Sequence, residues 1–168
     1  MRLTKIKLKN YKPFKEEIIF KIKPLTILIG KNNAGKSAIA RFPILINNAL
    51  NNTYEGVLNL SPSNLDFGND FTDLIYNQNP VGNIDIQLEY SDKDDTISIG
   101  YNIQNYPDEN KQSIRKFEFS TPKLHLIAEK GIDLTSNYRG KIDGEFISNL
   151  DLYFEGLWFS GFNTKDAI

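Results

Sequence analysis

Cysteine is missing from this chain, and histidine, methionine and tryptophan each occur once in its 168 residues. Without cysteine there is neither a disulfide framework nor a thiolate metal site, and His125 alone excludes a multi-histidine zinc centre, so any metal must be held by oxygen. Long apolar runs are lacking too: none approaches the roughly 20 residues that cross a bilayer. The first residues alternate charged and apolar side chains, unlike the apolar stretch of a signal peptide. A cytoplasmic protein with no membrane contact is expected. No self-similarity at a period of roughly 20 to 50 residues is visible, and no linker marks a second domain.

What is present is enough for one core. Hydrophobic residues make up 40% of the chain and aromatics 12%, the composition of an ordinary folded domain and not of a disordered one. The net charge is −1, but residues 1–36 carry Arg2 and nine lysines against Glu16 and Glu17, a local balance of 10 − 2 = +8 that leaves −9 for the rest. A basic start could favour an anionic ligand such as nucleotide or DNA. The plainer reading, and the preferred one, is that Lys5, Lys7 and Lys9, alternating with Ile6 and Leu8, are the solvated face of a strand.

Period-two patterning predicts antiparallel strands over residues 2–9 and 17–23, joined by a connection at residues 10–15. Residues 25–29 break the pattern, because neighbours on both faces are apolar; they read as a short central strand covered on both sides. A helix is predicted from Lys36 to about Leu50, kinked or shortened at Pro43, whose ring opposes the Ile39 carbonyl. Residues 51–82 are rich in Asn, Ser, Pro and Gly, with an apolar island at 71–76, and read as a loop-rich insert. Alternation returns at Ile84, Ile86, Leu88 and Tyr90, again from Ile97 to Ile103, and at Phe117, Phe119, Leu124 and Leu126; a hairpin turn is predicted at 91–95. Residues 83–168 thus form an antiparallel β region, and the aromatic stretch 146–162 is expected to be buried, so that an end at Ile168 looks like a cut edge.

Between the predicted central strand and the predicted helix stand Gly30, Lys31, Asn32, Asn33, Ala34, Gly35, Lys36 and Ser37, which fit G-x-x-x-x-G-K-[ST], the P-loop pattern. Glycine at both ends admits backbone conformations that let successive amides converge on phosphate oxygens. The following helix aims its positive dipole end at the same place. Lys36 would reach the β and γ phosphates as a point charge, and the Ser37 hydroxyl would enter the shell of Mg²⁺. The plain structural reading is a glycine turn with an exposed lysine and a serine helix cap. Against it stands a chance rate of about half a per cent for the pattern in such a chain, and the strand-then-helix context the motif requires.

Asn10, Tyr11, Lys12, Pro13 and Phe14, a second strand and then Asn32 within the loop make the chain resemble the N-terminal lobe of an ABC-type ATPase head of the SMC/RecF/OLD-like group. Residues 65–79 are similar to the segment after the first helix in bacterial AAA-domain ATPases. The resemblance implies a mixed α/β (α+β) fold: a P-loop NTPase N-terminal lobe in which a central parallel strand and helix adjoin an antiparallel β-subdomain. The whole of 1–168 would be a single partial head, divided into 1–50, 51–82 and 83–168. It implies ATP and Mg²⁺ held by residues 30–37 with Ala38 beside them, Lys36 as the catalytic lysine, Ser37 as the metal ligand and Lys12 near the nucleotide. Lys12 reads equally as a solvated turn lysine, and Phe14 as a core residue more than a base-stacking one. Hydrolysis would need a Walker B strand and a signature loop. Residues 124–129 end in Glu129 without the preceding Asp, and Gln78, Gln87, Gln104 and Gln112 compete for the magnesium-side glutamine. The implied partners are the remaining lobe or a second head, as homodimer or split partner, with DNA reached through the full assembly in repair or phage defence. The alternative is an interaction module with a vestigial loop.

Overall fold

The computed structural model describes residues 1–51, 56–61, 65–92 and 95–164. Its strands are β1 (Arg2–Lys9), β2 (Ile18–Lys21), β3 (Asn83–Ser91), β4 (Thr96–Tyr106), β5 (Lys111–Thr121), β6 (Leu124–Lys130), β7 (Tyr138–Ile142), β8 (Glu145–Glu155) and β9 (Trp158–Thr164). They form one sheet in the order β2-β1-β3-β4-β5-β6-β7-β8-β9, and every neighbouring pair is antiparallel. Among the described residues one α-helix, α1 (Lys36–Asn51), interrupts the strands.

Alternation explains the sheet. Ile6 and Leu8 of β1, Ile84, Ile86 and Leu88 of β3, Tyr101 and Ile103 of β4, and Ile114 and Phe117 of β5 are buried on one face. On the other, Lys9, Asp85, Asn102, Lys116, Glu129 and Arg139 stand opposite one another in a row across six strands. Opposite and neutral polar neighbours suit a face left to water, as antiparallel sheets allow. α1 contributes Phe42, Leu45, Ile46 and Ala49 to the same buried cluster. Leu157, in the β8–β9 turn, is fully buried; its amide donates to the Ala49 carbonyl at 2.9 Å and its own carbonyl accepts from Tyr101 Oη at 2.7 Å.

The expected α/β lobe with a central parallel strand is overturned by this topology. Residues 25–29 join no strand, and Leu25, Ile27 and Ile29 are 79%, 73% and 91% exposed. A run apolar on both faces needs neighbours on both sides. This sheet carries its core on one face and a polar row on the other, so it has no place for a strand that is apolar on both faces. Two smaller expectations also change. α1 runs unbroken through Pro43 over its full 16 residues, Lys36–Asn51; an internal proline costs about 3 kcal/mol, which burial of Phe42, Leu45 and Ile46 at roughly 1.5–3 kcal/mol each outweighs. The stretch 146–162 is only half covered, with Leu150 and Leu157 buried but Phe146 and Trp158 64% and 54% exposed. The apolar island at 71–76 does pack: Phe71, Leu74 and Ile75 are buried, in and beside a 3-10 turn at Phe71–Leu74. Of the predicted hairpin turn, residues 93 and 94 lie outside the described residues, and Asp92 N donates to Asp95 O at 3.0 Å.

Candidate functional site

The site is built on the start of α1. Ile39 N donates to Gly35 O at 3.0 Å, so the amides of Lys36, Ser37 and Ala38 precede the helical ladder and have no intrahelical acceptor. Ahead of them the loop turns through positive φ at Asn33 (62°) and Gly35 (84°), and Ala34 N closes on Lys31 O at 3.3 Å. Gly30, Lys31, Asn32, Asn33, Ala34 and Ser37 are exposed, while Gly35, Lys36 and Ala38 are half-buried. The Lys36 ammonium folds back over the loop and donates to the carbonyls of Gly30 and Lys31, at 2.6 and 2.5 Å. A cation, three free amides and the positive end of a 16-residue helix are therefore gathered in one exposed place, the arrangement that favours an anion.

A tight turn supports the loop from beneath. Tyr11 N donates to Phe14 O at 3.0 Å and Phe14 N to Tyr11 O at 2.9 Å. A Cβ built on Gly35 would lie 2.8 Å from both Phe14 Cε2 and Pro13 Cγ. Tyr11 is fully buried, with its ring edge-on to Phe42 at 5.1 Å and its hydroxyl 3.5 Å from the Ala38 carbonyl. Burial pushes that hydroxyl's pKa far above the usual tyrosine range. The Phe14 contact is the feature that sequence spacing missed; the only signal for it was the aromatic residue in the turn motif.

Lys12 shares the turn, in a left-handed conformation with φ 51°. Its Nζ donates to the Phe67 carbonyl at 2.8 Å, so the structure brings it to the 65–79 segment. Burial lowers its pKa, opposed by Asp73 and Asp66 and reinforced by Arg41. That segment is also bound through its backbone, with Lys12 N on Leu74 O at 2.8 Å and Tyr76 N on Asn10 O at 2.9 Å.

Asp73 pins the segment's bend. Its carboxylate accepts from Asn69 N at 2.7 Å and Gln78 Nε2 at 2.8 Å, and the Asn69 amide is the main reason its pKa lies below the ordinary 3.8. A carboxyl depressed on folding stabilises above its unfolded pKa and loses that contribution as pH falls through the folded value. The stability gap between wild type and Asp73→Asn, followed by urea unfolding, is expected to be flat above about pH 5 and to narrow below about pH 4. A gap unchanged down to about pH 2.5 would contradict this.

The remaining candidates are engaged elsewhere. Glu129 forms ion pairs with Arg115 (3.4 Å) and Lys116 (3.3 Å) on the polar sheet face. Gln78 bonds Asp73, Gln87 donates to Ser98, Gln104 holds the Val81 and Gly82 carbonyls, and Gln112 clamps Leu58 through both its N and O. None of these bonds involves the loop. Among the described residues no group of three or more acids and histidines could hold a metal, and no helix is long and apolar enough to cross a membrane.

Residues 1–154 match the family model described as "AAA ATPase domain". No curated protein and no solved structure matches the chain.

Proposed function

From the premise that this chain belongs to the family of AAA ATPase domains, we propose that it binds ATP with magnesium at residues 30–38 as part of an SMC/RecF/OLD-like ATPase head. The supporting observation is the Lys36 ammonium folded over the loop ahead of a helix start whose first amides have no intrahelical acceptor. In this reading the triphosphate takes the place of the Gly30 and Lys31 carbonyls as the partner of Lys36, and the amides of Lys36, Ser37 and Ala38 meet its oxygens. The exposed Ser37 hydroxyl would be this chain's oxygen ligand to magnesium, a hard cation that prefers oxygen. Bound magnesium would neutralise charge between the β and γ phosphates. Lys12 assists through the turn that supports the loop.

Hydrolysis, in this reading, waits on an acid and signature elements from the remaining lobe or a second head. Glu129 is already ion-paired. Beside the loop, the exposed Leu25, Ile27 and Ile29 give such a partner an apolar surface to cover. DNA, reached through the assembly in repair or phage defence, is the proposed target of the work, and the cytoplasm its place. The same exposed run also favours a second reading, an interaction module whose loop is vestigial.

Titration with a fluorescent ATP analogue and magnesium, alongside thermal unfolding, separates the two. A ligand at a hundred times its Kd stabilises the folded state by about 2.7 kcal/mol, so a clear rise in Tm is expected. Absence of both saturable binding and any Tm rise would overturn the ATP reading in favour of the module.

A further inference from the structure

We infer that Phe14, backed by Pro13, is a positioning residue for the nucleotide loop: its ring fills the volume of the missing side chain at Gly35 and so fixes the bend that aims the first amides of α1. The inference rests on the ATP reading above and names what sets the shape of that same site.

Three observations carry it. Gly35 holds φ at +84°, a conformation L side chains rarely adopt, and the Phe14 and Pro13 rings stand so close that even a methyl group there would overlap them. The turn bearing the rings is itself braced on two sides. Tyr11 ties it to α1 through Phe42 and the Ala38 carbonyl, and Lys12 N, Lys12 Nζ and Asn10 O tie it to the 65–79 segment. Phe14 is half-buried: it packs against the edge of the core and also meets Gly35 of the loop. Gly35 O accepts the first helical bond of α1. A shift of Gly35 therefore tilts every amide that follows it, and phosphate binding is sensitive to such shifts because several donors must converge on one group. A misplacement of about 1 Å can cost on the order of a hundredfold in a positioned site.

The test measures Kd for the fluorescent ATP analogue with magnesium at a temperature where urea curves show every protein folded. Phe14→Ala is expected to weaken binding by about tenfold or more, while Phe14→Leu, which keeps most of the volume, stays within about threefold of wild type. Phe119→Ala serves as the control. It removes a half-buried aromatic packed on Phe159 at 5.4 Å in β5, and should lower stability without changing Kd. Gly35→Ala should weaken binding strongly in the wild-type background and by less in the Phe14→Ala background, because the overlap with the Phe14 ring is relieved there while that with Pro13 and the positive φ remain. Phe14→Ala binding like wild type, or losses that simply multiply in the double variant, would overturn the inference while leaving ATP binding intact. If wild type itself fails to bind, the ATP reading falls. The positioning role then falls with it, whether or not the stability losses of Phe14→Ala and Gly35→Ala are sub-additive in urea.

Discussion

Lys36→Ala is expected to weaken Mg-ATP binding by roughly a hundredfold while leaving the fold almost untouched. In the free protein the ammonium makes two bonds to loop carbonyls, Gly30 and Lys31, at an exposed position. Surface substitutions of that kind usually change stability by about 0.5 kcal/mol or less. With nucleotide present, the same group would face two phosphates. Charge-assisted hydrogen bonds contribute about 1.5 kcal/mol or more each, and two of them correspond to roughly a hundredfold in Kd. Lys36→Arg should fall between, because a planar fork replaces a compact point charge. Lys31→Ala, which removes a neighbouring exposed cation but not the carbonyl, should change Kd by only about threefold through long-range attraction. Titration of the three variants at one salt concentration, with urea midpoints for each, checks all of this. Equal affinity of Lys36→Ala and wild type would remove the lysine from the site.

The large difference between those two effects reflects how the site is made, and it also explains what the sequence could reveal. Gly35, Lys36 and Ser37 are read from spacing because their chemistry is local: one loop and one helix start supply every amide. The support beneath them is not local. Phe14 meets Gly35 across the whole of β2 and the exposed run that follows, and no period or motif states that contact. Lys12 shows the same limit. Its charge is visible in the sequence, but the Phe67 carbonyl that receives it belongs to a segment without regular periodicity.

The same contrast runs through the fold. From β1 to β6 the faces were legible because each strand buries one side and wets the other, so that a slip of one residue would exchange them. Beyond β6 the pattern blurs for a physical reason. Register shifts occur at Leu3/Lys5 and Asn102/Ile103 as well, but those at Tyr138/Gly140 and Tyr153/Phe154 fall in or opposite the aromatic run of β8 and move its residues from one face to the other. An aromatic run that reads as uniformly buried then splits into Leu150 and Leu157 inside and Phe146 and Trp158 outside. Residues 25–29 mislead in the opposite way. Their composition asks for cover on both faces, and that cover is a property of neighbours rather than of the run itself.

Phe42→Ala is expected to destabilise the protein by about 3–5 kcal/mol, the usual cost of emptying a fully buried aromatic position. Phe42 is 0% exposed and meets Tyr11 edge-on at 5.1 Å, and Tyr11 is likewise 0% exposed. Deleting the ring therefore removes apolar contact from two elements together: α1 and the turn that carries Phe14. The cavity has little means of closing, since Pro43 follows directly in the helix and restricts how its backbone can shift. Ile44→Ala provides the comparison within the same turn of helix. Ile44 is 42% exposed, and its truncation should cost about 0.5 kcal/mol or less. Because Phe42 lies one helical turn beyond Ala38, whose carbonyl faces the Tyr11 hydroxyl, the loss should also reach the loop. The Tm rise produced by saturating Mg-ATP is expected to be smaller in Phe42→Ala than in Ile44→Ala. Urea unfolding measures the stability losses and thermal unfolding with and without the nucleotide the Tm rises, and equal nucleotide stabilisation of the two variants would show that the anchor holds the helix but not the loop.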